Sequence, residues 1–125
     1  MAKIETKQIE EGINIAILAM EKRGIQSKIQ IENVPEDDTQ KAGEFYEIVS
    51  MLGEIEYGEL KEKLTFGFSI PQPSHRDAKN WAWLVVYHFL GEVFCFLLEK
   101  EGLKDKARSL YKLQIDLVDE LIKAV

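Results

Sequence analysis

One group of residues that could support chemistry lies on the long apolar segment in the second half of the chain. His88, Glu92 and Cys95 are three or four residues apart, so a helix would present them on one stripe. An imidazole and a carboxylate one turn apart can share a divalent metal ion, or act as a base with its orienting carboxylate. Two ligands do not complete a metal site. The same stripe also fits the water-facing edge of a helix, where His88 and Glu92 pair with each other.

A second acidic pair could complete such a metal site. Glu44 and Glu47 form an E-x-x-E pattern, which recurs in Mg²⁺-dependent nucleotide hydrolases built from helices. The second acidic motif that those enzymes need is missing from the apolar segment. The sequence therefore keeps open a small metal-dependent enzyme or ligand-binding protein, with a divalent metal held by these glutamates together with His88 and Glu92.

Positive charge stands at the start of the apolar segment. Ser74, His75 and Arg76 follow two prolines, in a position where the first turn of a helix would begin. The helix dipole disfavours cations there unless an anion uses both the side chains and the free backbone N–H groups. The pattern fits a phosphate or carboxylate site. It also fits an ion pair between Arg76 and the acidic N-terminal half of the chain.

The last segment of the chain carries the candidate partner-binding residues. Lys104, Arg108 and Lys112 are four residues apart and form a basic ladder that could meet an anionic partner or simply face solvent. Gln114 interrupts the apolar side of the same segment. Because a polar residue on a packing seam can fix the register of a helix pair, it suggests a specified helix-helix contact.

The apolar segment itself predicts the central element of the fold. Trp81–Leu98 is apolar except for His88, Gly91 and Glu92, and it contains both tryptophans and half of the aromatic residues. Ser74 and Asp77 form a helix-start pattern and Gly102 a stop, so we expect a buried helix over residues 74–101. At the centre of that helix, Gly91 predicts close approach by a neighbouring helix, and the expected neighbour is the first helix near Gly12 and Ala16. The segment's eighteen residues reach the lower limit for a membrane span, but the polar residues within it favour a buried helix.

The remaining elements are read from apolar spacing. Helical stripes indicate a first helix ending at Gly24, a second ending at Gly53, a short helix after it, and a last helix from about Lys104. Alternation suggests extended segments at Gln26–Glu32 and Thr65–Ile70, which could form a two-stranded pair. The sequence therefore predicts a single, mainly α domain over residues 1–125, an irregular bundle of four to five helices around the central helix.

Composition limits the function. The net charge is −6, and residues 1–59 carry thirteen acidic against six basic side chains, which argues against general nucleic-acid binding. Cys95 is the only cysteine and no signal peptide is readable, so a reducing cytoplasm is expected.

The first and last helices carry more apolar surface than four helices need to bury. We therefore expect a non-enzymatic interaction protein without a cofactor: an oligomerising helical adaptor, regulatory or accessory subunit. Its partner would be a second copy or another protein. A nucleic-acid accessory subunit that uses the basic ladder is a weaker alternative.

Overall fold

The computed structural model describes residues 6–34, 41–42, 45–46, 49–68 and 76–125. Within these residues the chain forms three helices and a three-stranded antiparallel sheet, with a further two-stranded ribbon. The elements in chain order are α1 (Thr6–Glu21), β1 (Gln26–Asn33), β2 (Lys41–Ala42), β3 (Phe45–Tyr46), β4 (Val49–Tyr57), β5 (Leu60–Phe68), α2 (Ala78–Leu98) and α3 (Lys104–Lys123). The sheet order is β1-β4-β5, and β2 pairs with β3. This is an α+β arrangement, so the prediction of a mainly α bundle of four to five helices is wrong.

The second helix predicted to end at Gly53 is replaced by strands. The helical stripe that predicted this element includes Val49 and Leu52, three residues apart. In the structure Val49, Met51 and Ile55 are buried on one face of β4, whereas Leu52 is half-buried on the other face. Gly53 is not a helix stop. It faces Phe89 of α2, where an added Cβ would lie 2.4 Å from the ring. Apolar residues three and four positions apart predict a helix. Some of them are also an even number of positions apart, as residues on one face of a strand are, so the pattern did not distinguish the two structures.

The short helix predicted after Gly53 is also wrong. β4 continues to Tyr57, which pairs with Leu60 across a tight turn. Gly58 takes a φ of +61° in that turn, a conformation that favours glycine and that suits a two-residue hairpin. Residues 60–68 therefore return antiparallel to β4 instead of forming a helix.

The first predicted extended segment and residues 65–68 of the second are strands, although they do not pair with each other; residues 69–70 lie outside the described residues. β1 covers Gln26–Asn33 and lies against β4, with Ile29 opposite Gly53. β5 lies on the other side of β4, so the strand that was taken for a helix separates the two expected partners. Sequence order alone could not reveal this, since it required β4 to be recognised first.

The sheet has one covered and one polar face. α1 and α2 cover the face that carries Met51, Ile55 and Phe66. On the opposite face, ion pairs cross from β4 to β5, Glu54 to Lys63 at 3.8 Å and Glu56 to Lys61 at 3.6 Å. This alternation is typical of an antiparallel sheet with one face in water.

Three predicted helices are confirmed, but the central one is shorter at both ends, Ala78–Leu98 instead of residues 74–101. α1 ends before Gly24 and α2 before Gly102, with φ values of +83° and +82° respectively. α2 begins at Ala78 instead of residue 74, because Asp77 is its N-cap and accepts a hydrogen bond from the Asn80 backbone N–H at 3.0 Å. α2 is long and apolar enough to cross a membrane by length and composition, and half of its most apolar 18-residue window is buried inside the fold.

Helix α2 is central because it packs on both sides. Its Phe89 and Leu90 are fully buried, and its contacts include α1, β5 and α3. The close approach of α1 occurs at Gly12, where an added Cβ would lie 2.5 Å from Trp81 Cβ and 2.8 Å from the Ala78 carbonyl oxygen. The approach predicted from Gly91 therefore takes place elsewhere on α2.

Candidate functional site: the groove between α2 and α3

An open groove runs between α2 and α3 on the side of the pair that α1 and the sheet do not cover. It encloses about 590 Å³. We call it the α2–α3 groove, and its lining residues are Tyr87, His88, Gly91, Glu92, Phe94, Cys95, Tyr111, Gln114, Ile115, Val118, Asp119 and Ile122. All of them come from the two antiparallel helices that follow the sheet.

A hydrogen bond and a ring contact join the helices among the residues that line this groove. The Gln114 side-chain amide donates a hydrogen bond to the Tyr87 carbonyl oxygen at 2.7 Å. The rings of Phe94 and Tyr111 meet with their centroids 5.1 Å apart. These contacts set the register of the pair, so the residue that sequence reasoning expected on a helix-helix seam has its partner within the chain.

Gly91 keeps the middle of the groove open. A Cβ at this position would meet the amide nitrogen of Gln114 at 3.3 Å, and no atom of α1 lies within contact distance. The missing side chain therefore leaves space beside α3. Gly91 therefore forms part of the groove wall. The low helix propensity of glycine had suggested close helix packing at this position, and that packing does not occur there.

The groove exposes large apolar side chains. Tyr87 is 51% exposed, Tyr111 47%, Ile115 49% and Ile122 47%. Leu98, 47% exposed, lies seven residues from Gly91 and so extends the same face along α2. Clusters of exposed apolar residues mark interaction sites more often than isolated ones do.

Polar groups stand along the edges of the groove. Burial lowers the pKa of His88 from its ordinary value of 6.5, so the neutral imidazole predominates at neutral pH. Its ring meets the Tyr87 ring edge-on at 5.0 Å. Glu92 is exposed one turn along α2, and Asp119 lines the opposite wall.

The structure brings together two of the four predicted metal ligands. His88 and Glu92 both line the groove, while Glu44 and Glu47 lie outside the described residues. Within the described part of the chain, no group of three or more histidine, cysteine, aspartate or glutamate side chains could hold a metal ion. The divalent-metal alternative stays a prediction.

The anion site predicted at the start of α2 also stays a prediction, since Ser74 and His75 lie outside the described residues. Arg76 precedes the helix, and burial lowers its pKa. Two N–H groups of the first turn are already bound, that of Ala78 by the Gln8 side-chain oxygen at 2.9 Å and that of Asn80 by Asp77. Those two groups are therefore not free to bind an anion.

The basic ladder follows the outer edge of α3. Lys104, Arg108 and Lys112 are exposed, and each is three, four or seven residues from Tyr111 or Ile115, so the ladder borders the groove. Sequence reasoning did not single out Tyr87 or Ile115. The available signal was the width of the apolar stripe on α3, which includes more positions than one neighbouring helix can cover.

No protein-family model matches this chain, and neither a curated protein nor a solved structure shows significant similarity to it. The chemistry of the groove therefore has to be read from its own residues. Its walls offer apolar contact, its base offers a fixed helix pair, and its edges offer charge.

Proposed function

We propose that this protein is a non-enzymatic interaction module that docks the α2–α3 groove against another polypeptide. The observation that carries the proposal is the cluster of half-exposed apolar side chains on one face, Tyr87, Tyr111, Ile115 and Ile122. Covering apolar surface is favourable by roughly 25 cal/mol per Å². A partner that covers these four side chains would gain most of its affinity from their burial.

The shape of the groove favours a helical partner. α2 has 21 residues and α3 has 20, so each helix is about 30 Å long at about 1.5 Å per residue. Their antiparallel pairing leaves a long, shallow channel whose apolar residues recur at helical spacing. An amphipathic helix can lie in such a channel with its apolar face inward.

Photo-crosslinking tests this proposal at the residue level. A p-benzoylphenylalanine placed at Ile115 should form a covalent adduct with a polypeptide when the protein is irradiated in cells that produce it. The matched control is the same residue at Asp116, which is exposed and adjacent on α3 but does not line the groove. Adducts should appear from position 115 and be weak or missing from position 116.

Two outcomes would contradict the proposal. Equal crosslinking from positions 115 and 116 would show that the groove does not select its contacts. Failure to form any polypeptide adduct from position 115, with the label incorporated and the protein folded, would remove the groove as a docking surface. Circular dichroism on each labelled protein establishes folding.

A small apolar ligand is the second candidate occupant, and the volume of the groove favours it. About 590 Å³ falls within the roughly 300–1,000 Å³ usual for ligand sites, and Gln114 and His88 supply polar groups. Mass spectrometry of the native protein and of its solvent extract would detect a retained molecule, and elemental analysis would detect a metal. A stoichiometric ligand that Ile115→Glu abolishes would favour this alternative over a polypeptide partner.

A further inference from the structure

The two edges of the α2–α3 groove carry opposite charge. Glu92 lines the α2 edge, and Glu99 lies seven residues further on the same side; we call this pair the acidic rim. The α3 edge carries the basic ladder, Lys104, Arg108 and Lys112, which we call the basic rim. One molecule therefore presents an apolar strip between a line of negative charge and a line of positive charge.

The charges of both rims are available to a partner. The ion pairs between described residues join Arg23 to Glu120, Lys61 to Glu56, Lys63 to Glu54 and Lys123 to Asp119. No rim residue takes part in these pairs. Asp119, the carboxylate on the α3 side of the groove, is ion-paired with Lys123 at 2.9 Å. The exposed Asp116 lies four residues from Lys112, so this edge of α3 carries the three positive charges of the basic rim and one further negative charge.

The register of the antiparallel α2–α3 pair places the two rims at the same height along the helices. Gly91 lies beside Gln114, and Phe94 lies beside Tyr111, so positions on the two antiparallel helices whose numbers add up to about 205 are level. Glu92 is therefore level with Lys112, and Glu99 is level with the Lys104 end of α3. The two rims therefore carry opposite charges at the same heights along the helices.

A second copy of this chain fits these features when it is related by a two-fold axis parallel to the helices. That rotation lays α2 of one copy over α3 of the other and keeps every residue at its own height. The acidic rim of each copy then meets the basic rim of its partner, twice in the dimer. A two-fold axis perpendicular to the helices would instead lay acidic rim on acidic rim, which is unfavourable.

We infer that the occupant of the α2–α3 groove is a second copy of this protein, packed face to face about a two-fold axis parallel to α2 and α3. The inference rests on the proposed function and specifies its partner. The groove residues of both copies meet between two layers of two helices each. Glu92 of each copy then lies near Lys112 of the other. Such an isologous contact closes on itself and stops at a dimer.

The size of the face is compatible with a stable contact. Two helices about 30 Å long, each about 10 Å in diameter, present a face of about 600 Å² before side-chain relief is counted. Standard interfaces bury about 800 Å² per partner. The apolar strip with its two rims is close to that size.

Complementary charge reversal tests the arrangement. Glu92→Lys places two lysines together at both rim contacts of the dimer, and Lys112→Glu places two glutamates together. Each variant alone should raise the dimer dissociation constant by about tenfold or more. An equimolar mixture of the two variants should dimerise within about threefold of wild type, because both rim contacts of the mixed dimer again join opposite charges. Sedimentation velocity over a concentration series measures the dissociation constants of the wild type, of each variant and of the mixture.

Two controls show whether the effect of charge reversal comes from the groove. Glu10→Lys makes the same change of charge as Glu92→Lys at an exposed position of α1, away from both rims, and it should leave dimerisation unchanged. Ile115→Glu should give a monomer. Rescue in the mixture cannot arise from contacts within one chain, since each molecule still carries its own substitution.

The outcomes distinguish this inference from the proposed function. A wild-type protein that is monomeric up to the highest soluble concentration overturns the second-copy inference. A dimer that Ile115→Glu abolishes, but that mixing does not rescue, overturns the axis and the charge pairing. In either case, adducts from position 115 with a different polypeptide would still support the proposed function, whereas adducts of twice the chain mass support both proposals.

Discussion

Helix α2 packs against both α1 and α3, but the two glycines at these contacts have different surroundings. At Gly12 of α1, an added Cβ would lie 2.5 Å from Trp81 Cβ and 2.8 Å from a backbone oxygen of α2. At Gly91 of α2, an added Cβ would meet only the end of the Gln114 side chain, at 3.3 Å. The first glycine allows two backbones to approach, while the second leaves part of a groove open.

This comparison shows why the composition of α2 is ambiguous. Trp81 and Phe89, on the side covered by α1 and the sheet, are almost fully buried, whereas Tyr87 on the other side is half exposed. Both sides consist of apolar residues. An apolar helix therefore need not be covered on every side within its own chain, and its uncovered side is where a partner gains most by binding.

The largest expected effect is at the tight contact. Gly12→Ala should destabilise the fold by about 2 kcal/mol, because overpacking against the α2 backbone outweighs a gain of about 1 kcal/mol in helix propensity. Urea denaturation followed by circular dichroism measures the change. An unchanged or raised free energy of unfolding would show that α1 can move away from α2 without loss.

The contact between the sheet and α2 should be less sensitive. Gly53→Ala brings a Cβ to 2.4 Å from the Phe89 ring, which is fully buried against Phe66 as well. A ring can tilt where a backbone cannot, so we expect a loss of about 1 kcal/mol. The same denaturation experiment tests it, and a loss larger than that of Gly12→Ala would show that the sheet contact is the tighter of the two.

The stability of the fold should depend on pH through His88, which lines the groove. Because burial lowers the pKa of His88 in the folded protein, the unfolded chain takes up a proton first as pH falls through about 6.5. Stability is therefore greatest above that pH and decreases as the solution is acidified towards the folded pKa. His88→Gln should flatten the change in melting temperature between pH 7.5 and 5.5 at fixed protein concentration. Since His88 remains partly exposed, the effect should be small, and an identical slope in both proteins would contradict it.

The smallest expected effect is at Gly91, the matched control for Gly12. Gly91→Ala gains helix propensity but displaces the Gln114 amide, which is hydrogen-bonded to Tyr87. We expect these contributions to offset, with a net change within about 0.5 kcal/mol. A loss as large as that of Gly12→Ala would mean that the two contacts are equally tight.

The sequence predicted the three helices that carry strong periodicity or clear end signals. α1 and α3 have apolar stripes on one side, and Gly24 and Gly102 follow helix ends with positive φ. His88 and Glu92 lie on one edge of α2, as their spacing indicated, and the structure shows that this edge lines the groove. These features depend on neighbouring residues within one or two turns, so they can be read locally.

The tertiary structure decided the rest. Whether residues 49–57 form a strand or a helix depends on pairing with β1, which comes from an earlier part of the chain, and with β5, which follows across the turn at Gly58. The apolar pattern of residues 49–57 specifies neither partner. Which side of α2 stays open depends on where α1 and α3 pack, since both of its sides are apolar. Local spacing thus determined the helices and their polar stripes, while the sheet and the groove arose from long-range contacts whose free energy no single segment contains.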